Sequence, residues 1–577
     1  MLSARLDLLH PEPSDRVDRD ALEAALVMVF AAGGSDGALE TILDAASVAP
    51  SEWDPSCFER DVFLQDLVAR CMRKGKRPRV PFSEGLLLRT LANPPKDLAT
   101  TRFRQEVLRE LQESEAARAD LERVHAHWSA LAGLLSASNK LYSMVPRRWR
   151  IDVLIAIRQT VEAMAGAFEH AGSGLARIPA WATAVREGAG FVRLAQLLDL
   201  EDGMASLEVR LRVGLDGGLR GFEIVRHEEQ TTNPFHISAL GRFLRRIAFL
   251  FRGYRVSDEE MLDRLIDEVF SGVLADLGTL IAALSDVEFY VSALTFADRA
   301  RRAGLAVCVP EIVAPPGLHA PPVAREIRDL YNPLLFGEGE GPVPCTLTLD
   351  RHDATVVLTG PNSGGKTRFV QAIAIAQALG QAGMFVPASS ARLVWARGML
   401  VSILQDTAAD QHEGRLGMEL VRIRNLFERL GPGSVVLLDE LCSGTNPSEG
   451  EEIFELVTDL LEELEPQSFI TTHFLGLASR LAREREGGRF RFLQVELTEE
   501  QRPTYRFVPG IATTSLAKQT AARLGVTREN LRALVAKNRA RFAMNGAAAP
   551  ERAAASPRRP IEQAAGHTPE SARDDDA

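Results

Sequence analysis

The pattern of apolar and polar positions divides the chain into a mainly helical first part and a second part in which strands and helices alternate. Helical periodicity runs through residues 85–186 and returns over residues 237–303, where Phe243, Ile247 and Leu250 recur at intervals of four and three. Apolar residues at this spacing line one face of an α-helix. The first part is therefore predicted to consist of packed amphipathic helices.

A period of two interrupts the helical pattern. Apolar and charged residues alternate over residues 207–213, a second strand pattern follows at residues 221–225, and the turn Asp216-Gly217-Gly218 stands between them. Alternation predicts strands, and glycines supply the backbone freedom that a tight turn needs. The sequence therefore predicts a β-hairpin near residues 207–225.

Short runs of apolar and β-branched residues predict buried strands in the second part of the chain. They lie at residues 355–359, 434–438 and 468–472. A strand that is apolar on both faces suits a parallel sheet covered by helices. Amphipathic patterns at residues 420–430 and 453–464 predict two of those helices. This part is therefore predicted to be an α/β structure.

Changes in composition set the predicted domain boundaries. The predicted order is residues 1–84, without assignable chemistry; residues 85–308, helical and containing the hairpin; residues 309–326, a proline-rich connector; residues 327–542, the α/β part; and residues 543–577, a polar tail. The tail is expected to be disordered, because its Ala, Pro and charged residues bury too little apolar surface to offset chain entropy. The predicted fold class is a multidomain α plus α/β protein.

An octapeptide with the spacing Gly-x4-Gly-Lys-Thr follows the first apolar run directly. Between a strand and a helix, this spacing predicts a phosphate-binding loop, because backbone N–H groups and the helix N-terminus surround the phosphates there. The residues predicted to bind ATP are Gly360, Pro361, Asn362, Ser363, Gly364, Gly365, Lys366 and Thr367. Lys366 is expected to reach the β- and γ-phosphates, and the Thr367 hydroxyl to bind Mg²⁺.

The other two apolar runs end in polar residues. Asp439 and Glu440 end the second run, and His473 follows the third. Ligands of open parallel sheets bind at the carboxyl ends of the strands. We therefore expect Asp439 to hold Mg²⁺ with Thr367, Glu440 to polarise the attacking water, and His473 to sense the γ-phosphate. The predicted catalytic residues are Glu440, His473 and Lys366, although each of these motifs alone would also fit an ordinary solvated loop.

The bulk composition is that of a soluble globular protein, with 46% apolar and 25% charged residues. No stretch of eighteen uncharged apolar residues occurs, and the N-terminus lacks the apolar core of a signal peptide. The five cysteines form no CxxC pair, which indicates reduced thiols and no zinc site. A cytoplasmic protein without a membrane span is expected.

The net charge of −11 bears on nucleic-acid binding, because a protein whose whole surface contacts nucleic acid is more often basic. Local basic clusters leave such binding open. They are Arg73, Lys74, Lys76, Arg77 and Arg79; Arg147, Arg148 and Arg150; and Arg242, Arg245, Arg246, Arg252 and Arg255. Taken singly, each cluster also fits a solvated helix face.

Together, the motifs resemble the MutS family of DNA mismatch-repair ATPases. Residues 359–367 match that family's T-G-P-N-x-G-G-K-[ST] loop, and residues 379–388 look like its L-x-Q-x-G-x-x-V-P-A stretch. Residues 438–450 are similar to its D-E-x-x-x-G-T-x-x-x-x-G run, and Thr472-His473 match its T-H switch. The resemblance is strong over about residues 332–534, weak over 81–330 and absent before that.

The resemblance implies an ABC-type P-loop ATPase domain that uses ATP and Mg²⁺, with C-terminal dimerisation helices, behind a helical lever whose hairpin acts as a clamp. It also implies a homodimer formed through the ATPase domain, and a cytoplasmic, nucleoid-associated role in DNA repair. The implied partner is mismatched, branched or damaged duplex DNA.

The sequence departs from the family pattern in three places. Phe82-Ser83-Glu84 fits only the letters of the family's mismatch-reading triplet, and a C-terminal Smr nuclease domain is not expected because 35 residues follow Phe542. Gly414-Arg415-Leu416 stands where the family's Ser-Thr-Phe signature cluster belongs. Two alternatives therefore remain open beside a DNA-binding ATPase: a nucleotide-switched interaction protein that does not bind mismatched DNA, and another ABC- or SMC-type ATPase.

Overall fold

The structure is a computed structural model that describes most of the chain. Described are residues 6–14, 16–34, 37–73, 82–136, 146–201, 205–213, 219–229, 258–314, 321–337, 339, 341–361, 363–403, 415–442, 446–513 and 525–547. The chain forms two compact units, Met1–Ser515 and Leu516–Ala577. In the second unit, a helix covers Arg528–Ala547. Of the tail predicted at residues 543–577, only residues 543–547 are described, and they belong to this helix.

Helices make up most of the described residues before the hairpin. They are α1 (Arg19–Ala32), α2 (Ala38–Asp44), α3 (Glu59–Val62), α4 (Leu64–Leu67), α5 (Phe82–Ala92), α6 (Leu98–Glu113), α7 (Glu115–Ser136), α8 (Pro146–Ala165), α9 (Arg177–Glu187) and α10 (Ala189–Glu201). Local chemistry fixes some of their ends: the Asp97 carboxylate accepts a hydrogen bond from the Thr100 N–H at 2.7 Å and caps α6. The helices predicted over residues 85–186 are confirmed.

The predicted hairpin strands are confirmed by β1 (Ala205–Val213) and β2 (Leu219–Glu229), which pair antiparallel. Arg210 lies opposite Glu223, and the register shifts between Arg212 and Val213. The predicted turn at residues 216–218 lies outside the described residues.

The long helix α11 (Asp258–Arg302) has 45 residues and forms the centre of the helical part. By length and composition, Asp263–Arg302 is apolar enough to cross a membrane, but 89% of its most apolar stretch is buried inside the protein. Helices α1, α7, α8 and α10 pack against it. Such burial is typical of a core helix. Residues 237–257 of the predicted helical pattern lie outside the described residues.

Two sheets form the α/β part. Their strands are β3 (Glu311–Val313), β4 (Arg325–Leu330), β5 (Cys345–Leu349), β6 (Thr355–Thr359), β7 (Ser390–Val394), β8 (Met399–Ser402), β9 (Val435–Leu438), β10 (Gln467–Thr471), β11 (Phe490–Leu497) and β12 (Pro503–Pro509). The six-stranded sheet has the order β12-β11-β6-β10-β9-β8, and the four-stranded sheet has the order β3-β7-β4-β5. In the six-stranded sheet only β12 runs antiparallel to its neighbour. The three predicted strands are thus confirmed as the adjacent strands β6, β10 and β9.

Helices connect these strands. They are α12 (Lys366–Ala382), α13 (Arg415–Arg429), α14 (Pro447–Leu464) and α15 (Leu475–Glu484). Helix α12 is buried over almost its whole length, whereas α13 and α14 follow the amphipathic patterns predicted for them. Strand β3 lies inside the predicted proline-rich connector, where its buried Ile312 joins the four-stranded sheet beside β7. Part of that connector therefore belongs to the fold.

The N-terminal segment at residues 6–16 is bound to α11 through a buried carboxylate. Asp286 accepts hydrogen bonds from the Leu8 N–H at 3.0 Å and from the Arg16 guanidinium at 2.6 Å. Burial raises the pKa of the Asp286 carboxyl above its ordinary value, although Arg16 opposes the shift. Burial alone would lower the pKa of Arg16, but Asp286 and Asp7 together raise it. Removing either partner would leave the other as an uncompensated buried charge, which would destabilise the fold.

A second buried cation connects α6 with the end of α12. The Arg104 guanidinium donates to the backbone carbonyls of Leu9 and Ala382, both at 3.0 Å. One turn earlier, the Thr101 hydroxyl donates to the Gln381 carbonyl at 2.8 Å. These bonds satisfy carbonyls at the C-terminus of α12, which have no partner within the helix.

Replacing Asp286 with alanine is expected to lower the free energy of unfolding by about 3–5 kcal/mol, because Arg16 would keep a buried, uncompensated charge. Urea unfolding followed by circular dichroism measures the change. The matched control is Glu428→Ala, which breaks the exposed Arg424–Glu428 pair on α13 and should change stability by less than about 0.5 kcal/mol. Equal effects of the two substitutions would contradict the importance of the buried pair.

Candidate functional site

The glycine loop lies at the carboxyl edge of the parallel sheet, between β6 and α12. Gly360 has φ 140° and Gly365 has φ 88°, conformations that residues with a Cβ rarely adopt. The Gly364 N–H donates to the Pro361 carbonyl at 2.9 Å, which closes the turn. The loop therefore has the compact strand–loop–helix geometry that its sequence predicts.

Neighbouring side chains lie so close to the loop that only glycine fits at Gly360 and Gly364. A Cβ on Gly364 would lie 2.8 Å from Cγ2 of Val495 and 3.0 Å from the Pro361 carbonyl oxygen. A Cβ on Gly360 would lie 2.6 Å from the same Val495 methyl group. Val495 comes from β11, which pairs with β6. The tight fit is thus a consequence of strand order in the sheet.

Lys366 begins α12 and folds back over the loop. Its ammonium donates to the carbonyls of Gly360 at 3.0 Å and of Pro361 at 3.2 Å. The side chain is buried, and burial lowers the pKa of Lys366 below its ordinary value, although the carboxylates of Glu440 and Asp439 oppose the shift. The loop thus contains a buried cation whose partners are neutral carbonyls.

Asp439 joins the ends of three elements. Its Oδ2 accepts a hydrogen bond from the Thr367 hydroxyl and its Oδ1 accepts one from the Thr471 hydroxyl, both at 2.6 Å. Thr367 lies in the first turn of α12, and Thr471 ends β10. The strand order β6-β10-β9 brings these groups together, because parallel neighbours end at one edge.

The turn after β9 has an uncommon backbone. Glu440 has φ 51° and Cys442 has φ 61°, both in the left-handed region that costs energy for residues other than glycine. The Glu440 N–H donates to the Thr471 hydroxyl at 2.8 Å, and the Cys442 N–H donates to the Glu419 carboxylate of α13. Side chains from two other elements therefore hold this turn.

The remaining predicted site residues are placed as follows. Ser363 and His473 are exposed, and the His473 ring lies 4.3 Å from the ring of Phe474. Asn362 lies outside the described residues, as do Gly414, Gly444 and Thr445 of the neighbouring motifs. The structure therefore brings Lys366, Thr367, Asp439 and Glu440 to one edge, and gives the His473 imidazole no hydrogen bond among the described residues.

Sequence motifs assign no role at the site to two further residues, Thr471 and Tyr505. Thr471 contacts both acidic residues, and half-exposed Tyr505 lies over Gly365, where an added Cβ would be 3.2 Å from its ring. Tyr505 has φ 62° and belongs to β12, at the edge of the sheet. Both residues reach the site through strand order, and no spacing along a single chain reports that order.

The residues present fit a magnesium–nucleotide complex by their chemistry. A hydroxyl and a carboxylate, those of Thr367 and Asp439, are hard oxygen donors of the kind that Mg²⁺ prefers. Among the described residues no group of three His, Cys, Asp or Glu side chains is placed to hold a metal alone. Mg²⁺ usually completes its shell with water and substrate phosphates. Lys366, bonded only to carbonyls, would gain a stronger partner in a phosphate.

The fold and the site thus define a class: a mixed helical and α/β protein with a glycine loop and an acidic turn at one edge of a parallel sheet. The sequence model for MutS domain V matches residues 356–536. The chain is 28% identical to the endonuclease MutS2 of Thermus thermophilus over 330 residues, which are 56% of this chain and 41% of the relative. It is 29% identical to endonuclease MutS2 of Pelotomaculum thermopropionicum over 284 residues, which are 48% of this chain and 34% of the relative.

These matches confirm the predicted resemblance to the MutS family, which the family model supports over residues 356–536. A third relative, endonuclease MutS2 of Geobacillus sp., is 31% identical over 185 residues, which are 32% of this chain. The aligned region spans 41% or less of the length of each of these relatives.

Gly364→Ala is expected to destabilise the protein by about 1–3 kcal/mol, because the added methyl group would overlap Val495. In the double variant with Val495→Ala, two of the three crowded contacts disappear. The two substitutions should therefore cost less together than the sum of their separate costs, as measured by thermal unfolding. Additive costs would show that Val495 does not restrict the loop.

Proposed function

We propose that the chain is a DNA-associated, MutS-like ATPase in which the edge formed by the glycine loop and the Asp439–Glu440 turn binds and hydrolyses magnesium-bound ATP. The observation that carries this proposal is the pair of 2.6 Å hydrogen bonds that places Asp439 between Thr367 and Thr471. This arrangement joins the loop, the acidic turn and the neighbouring strand in one site. The residues of this site have the chemistry needed to bind ATP and Mg²⁺.

Phosphoryl transfer depends mainly on positioning and on neutralising charge, and the residues divide these roles. The backbone of Gly364 and Gly365 would approach the phosphates, and Lys366 would exchange its carbonyl partners for phosphate oxygens. Bound Mg²⁺ would supply charge neutralisation, held by Thr367 and Asp439. Glu440, fixed by its backbone bond to Thr471, would orient the attacking water.

Tyr505 is proposed as part of the nucleotide site. Its ring is half-exposed and lies against Gly365, so a flat face is available beside the loop. An aromatic face of this kind stacks on a nucleobase through dispersion and hydrophobic contact. His473 is proposed to contact the γ-phosphate, and its exposed side chain leaves it free to do so.

The DNA-binding part of the proposal rests on the similarity to the MutS family and on the hairpin. Strands β1 and β2 lie between α10 and α11 in the chain, and the sequence carries Arg210, Arg212 and Arg220 along them. We propose the hairpin as the DNA clamp and a dimer of two such chains as the working form. The second candidate function is a nucleotide-switched interaction protein without DNA binding, which the net charge of −11 favours.

Lys366→Ala should abolish ATP binding, because the loop would lose its only ammonium. Glu440→Gln should bind ATP with near-normal affinity and hydrolyse it about 10²–10⁴-fold more slowly, as expected for a lost general base. Fluorescent-nucleotide titration and phosphate release measure the two effects. Tight, magnesium-dependent ATP binding by the Lys366 variant would refute the site, and unchanged turnover would remove Glu440 from the mechanism.

Thr471→Val keeps the shape of the side chain and removes both hydrogen bonds to the acidic turn. It is expected to lower kcat about 10- to 100-fold with a smaller change in KM, because Glu440 is proposed to act on the attacking water and not in binding ATP. Thr471→Ser retains the hydroxyl and should restore most of the activity. If the valine variant kept near-native activity, Thr471 would be acting through the shape of its side chain and not through its hydroxyl.

DNA binding separates the two candidate functions. The Arg210→Gln/Arg212→Gln variant should bind duplex DNA more weakly than the native chain and show a salt dependence shallower by up to about two charges. Electrophoretic shifts of homoduplex, mismatch and four-way-junction DNA, with and without ATP, measure this. Absence of salt-dependent binding to all three substrates would favour the interaction protein, whereas preference for the mismatch would reveal a mismatch reader that the sequence does not show.

A further inference from the structure

A basic cleft lies between α7, the end of α11 and Arg73. Its volume is about 480 Å³, within the range of small-molecule sites. The residues that line it include Arg73, Arg118, Arg299 and Arg302, with Glu122 and Asp298 as the carboxylates. None of its lining residues belongs to the glycine loop or to the acidic turn. The cleft is therefore a feature that the proposed ATPase does not use.

The charge of the cleft is not balanced within the described residues. Four arginines face two carboxylates, so its formal charge is +2 on a chain whose net charge is −11. Asp298 lies 2.7 Å from Arg301, and 4.0 Å from Arg118, so it is shared. His125 also lines the cleft, but it is paired with the buried Glu288 at 2.5 Å. Like charges gathered in this way favour an anion between them.

No carboxylate is paired with Arg73 or Arg299 among the hydrogen bonds described for them. The Arg73 Nε is buried and has no hydrogen-bond partner in the described structure, which leaves a donor to be satisfied. The Arg299 guanidinium donates to the carbonyls of Arg70 and Arg73, which orient it without neutralising its charge. The eight residues that follow Arg73 in the sequence contain no Asp or Glu.

Basic residues in the last turn of α11 would by themselves have a simpler explanation, because they complement the negative end of the helix dipole. That explanation covers Arg299 and Arg302. It does not cover Arg73 and Arg118, which come from other elements and face the same space. The wall below them is apolar and is formed by the buried side chains of Leu121, Val291 and Leu294. The cleft is thus lined by arginines at its entrance and by apolar side chains beneath them.

We propose that this cleft binds a phosphate monoester with a flat or apolar body of about mononucleotide size. A monoester phosphate carries close to two negative charges at neutral pH, which matches the formal charge of the cleft, whereas each phosphate of a nucleic-acid backbone carries one. Guanidinium groups recognise such a group by paired hydrogen bonds. The apolar wall would contact the body of the ligand. The same chemistry occurs in a free mononucleotide and at the 5′-phosphate end of a nucleic acid.

The test is calorimetric titration of AMP into the full chain carrying Lys366→Ala, which removes the glycine loop as a competing site. Adenosine and inorganic phosphate are titrated in parallel. Arg73→Gln/Arg302→Gln should weaken AMP binding about tenfold or more, because it removes two charged partners of the phosphate. Arg328→Gln/Arg424→Gln is the matched control, since it changes the net charge equally at exposed positions outside the cleft. Arg302→Gln alone, at an exposed helix end, covers the case in which the double variant does not fold.

Several outcomes decide the proposal. AMP binding that is weakened in the cleft variants and unchanged in the control supports it, and weaker binding of adenosine shows that the phosphate is recognised. If AMP does not bind but a 5′-phosphorylated oligonucleotide binds better than its 5′-hydroxyl form, and only with Arg73 and Arg302 present, the ligand is a nucleic-acid end. Equal AMP binding by cleft and control variants, or binding of neither AMP nor the phosphorylated end, overturns the proposal.

Discussion

The Arg104 guanidinium ties together parts of the chain that lie far apart in sequence. It is 1% exposed and donates to the carbonyl of Leu9 in the N-terminal segment and to the carbonyl of Ala382 at the end of α12. Burial lowers its pKa to about 10, so the cation is kept at a cost that its hydrogen bonds must offset. A Cβ on Gly383 would lie 2.8 Å from the Arg104 side chain, so the residue after α12 must be small.

The location of this cation matters because α12 is one continuous helix. Its first turn carries Lys366 and Thr367 at the candidate nucleotide site, and its last carbonyls meet Arg104. Next to Arg104, Leu8 and Arg16 contact Asp286 on α11, and the Tyr290 hydroxyl of α11 donates to the Leu8 carbonyl. A buried polar network therefore links the end of the glycine-loop helix, through the N-terminal segment, to the long helix. Residues 6–16, to which sequence patterns assign no role, lie at the centre of this link.

The candidate site combines conformations that cost energy with contacts that stabilise them. Glu440 and Cys442 both have left-handed backbones, and Thr471 and Glu419 each hold one of their N–H groups. Strain of this kind persists only where the surroundings fix it. Val495 and Tyr505 crowd the loop from the side of β11 and β12, so the glycines there serve close packing as well as backbone freedom. The charge on Lys366 is left with neutral partners, which suits a loop built to receive an anion.

Much of this architecture is readable in the sequence because it is local. The periods of two and of about 3.6 residues predicted the hairpin strands, the helices over residues 85–186 and the strands β6, β9 and β10, since alternation and helical spacing reflect one face of one element. The glycine spacing and the adjacent acids singled out Lys366, Thr367, Asp439 and Glu440 as candidate site residues, and these four lie at one edge of the sheet. What the pattern could not supply is the order of strands: β10 lies between β6 and β9, and this places Thr471 beside Asp439. Pairing between distant strands also brings Val495 and Tyr505 to the loop and places β3 in the four-stranded sheet. Contacts of α6 with the N-terminal segment and with the end of α12 bury Arg104 between two carbonyls. Such contacts depend on which surfaces meet in three dimensions, so only the tertiary structure decides them.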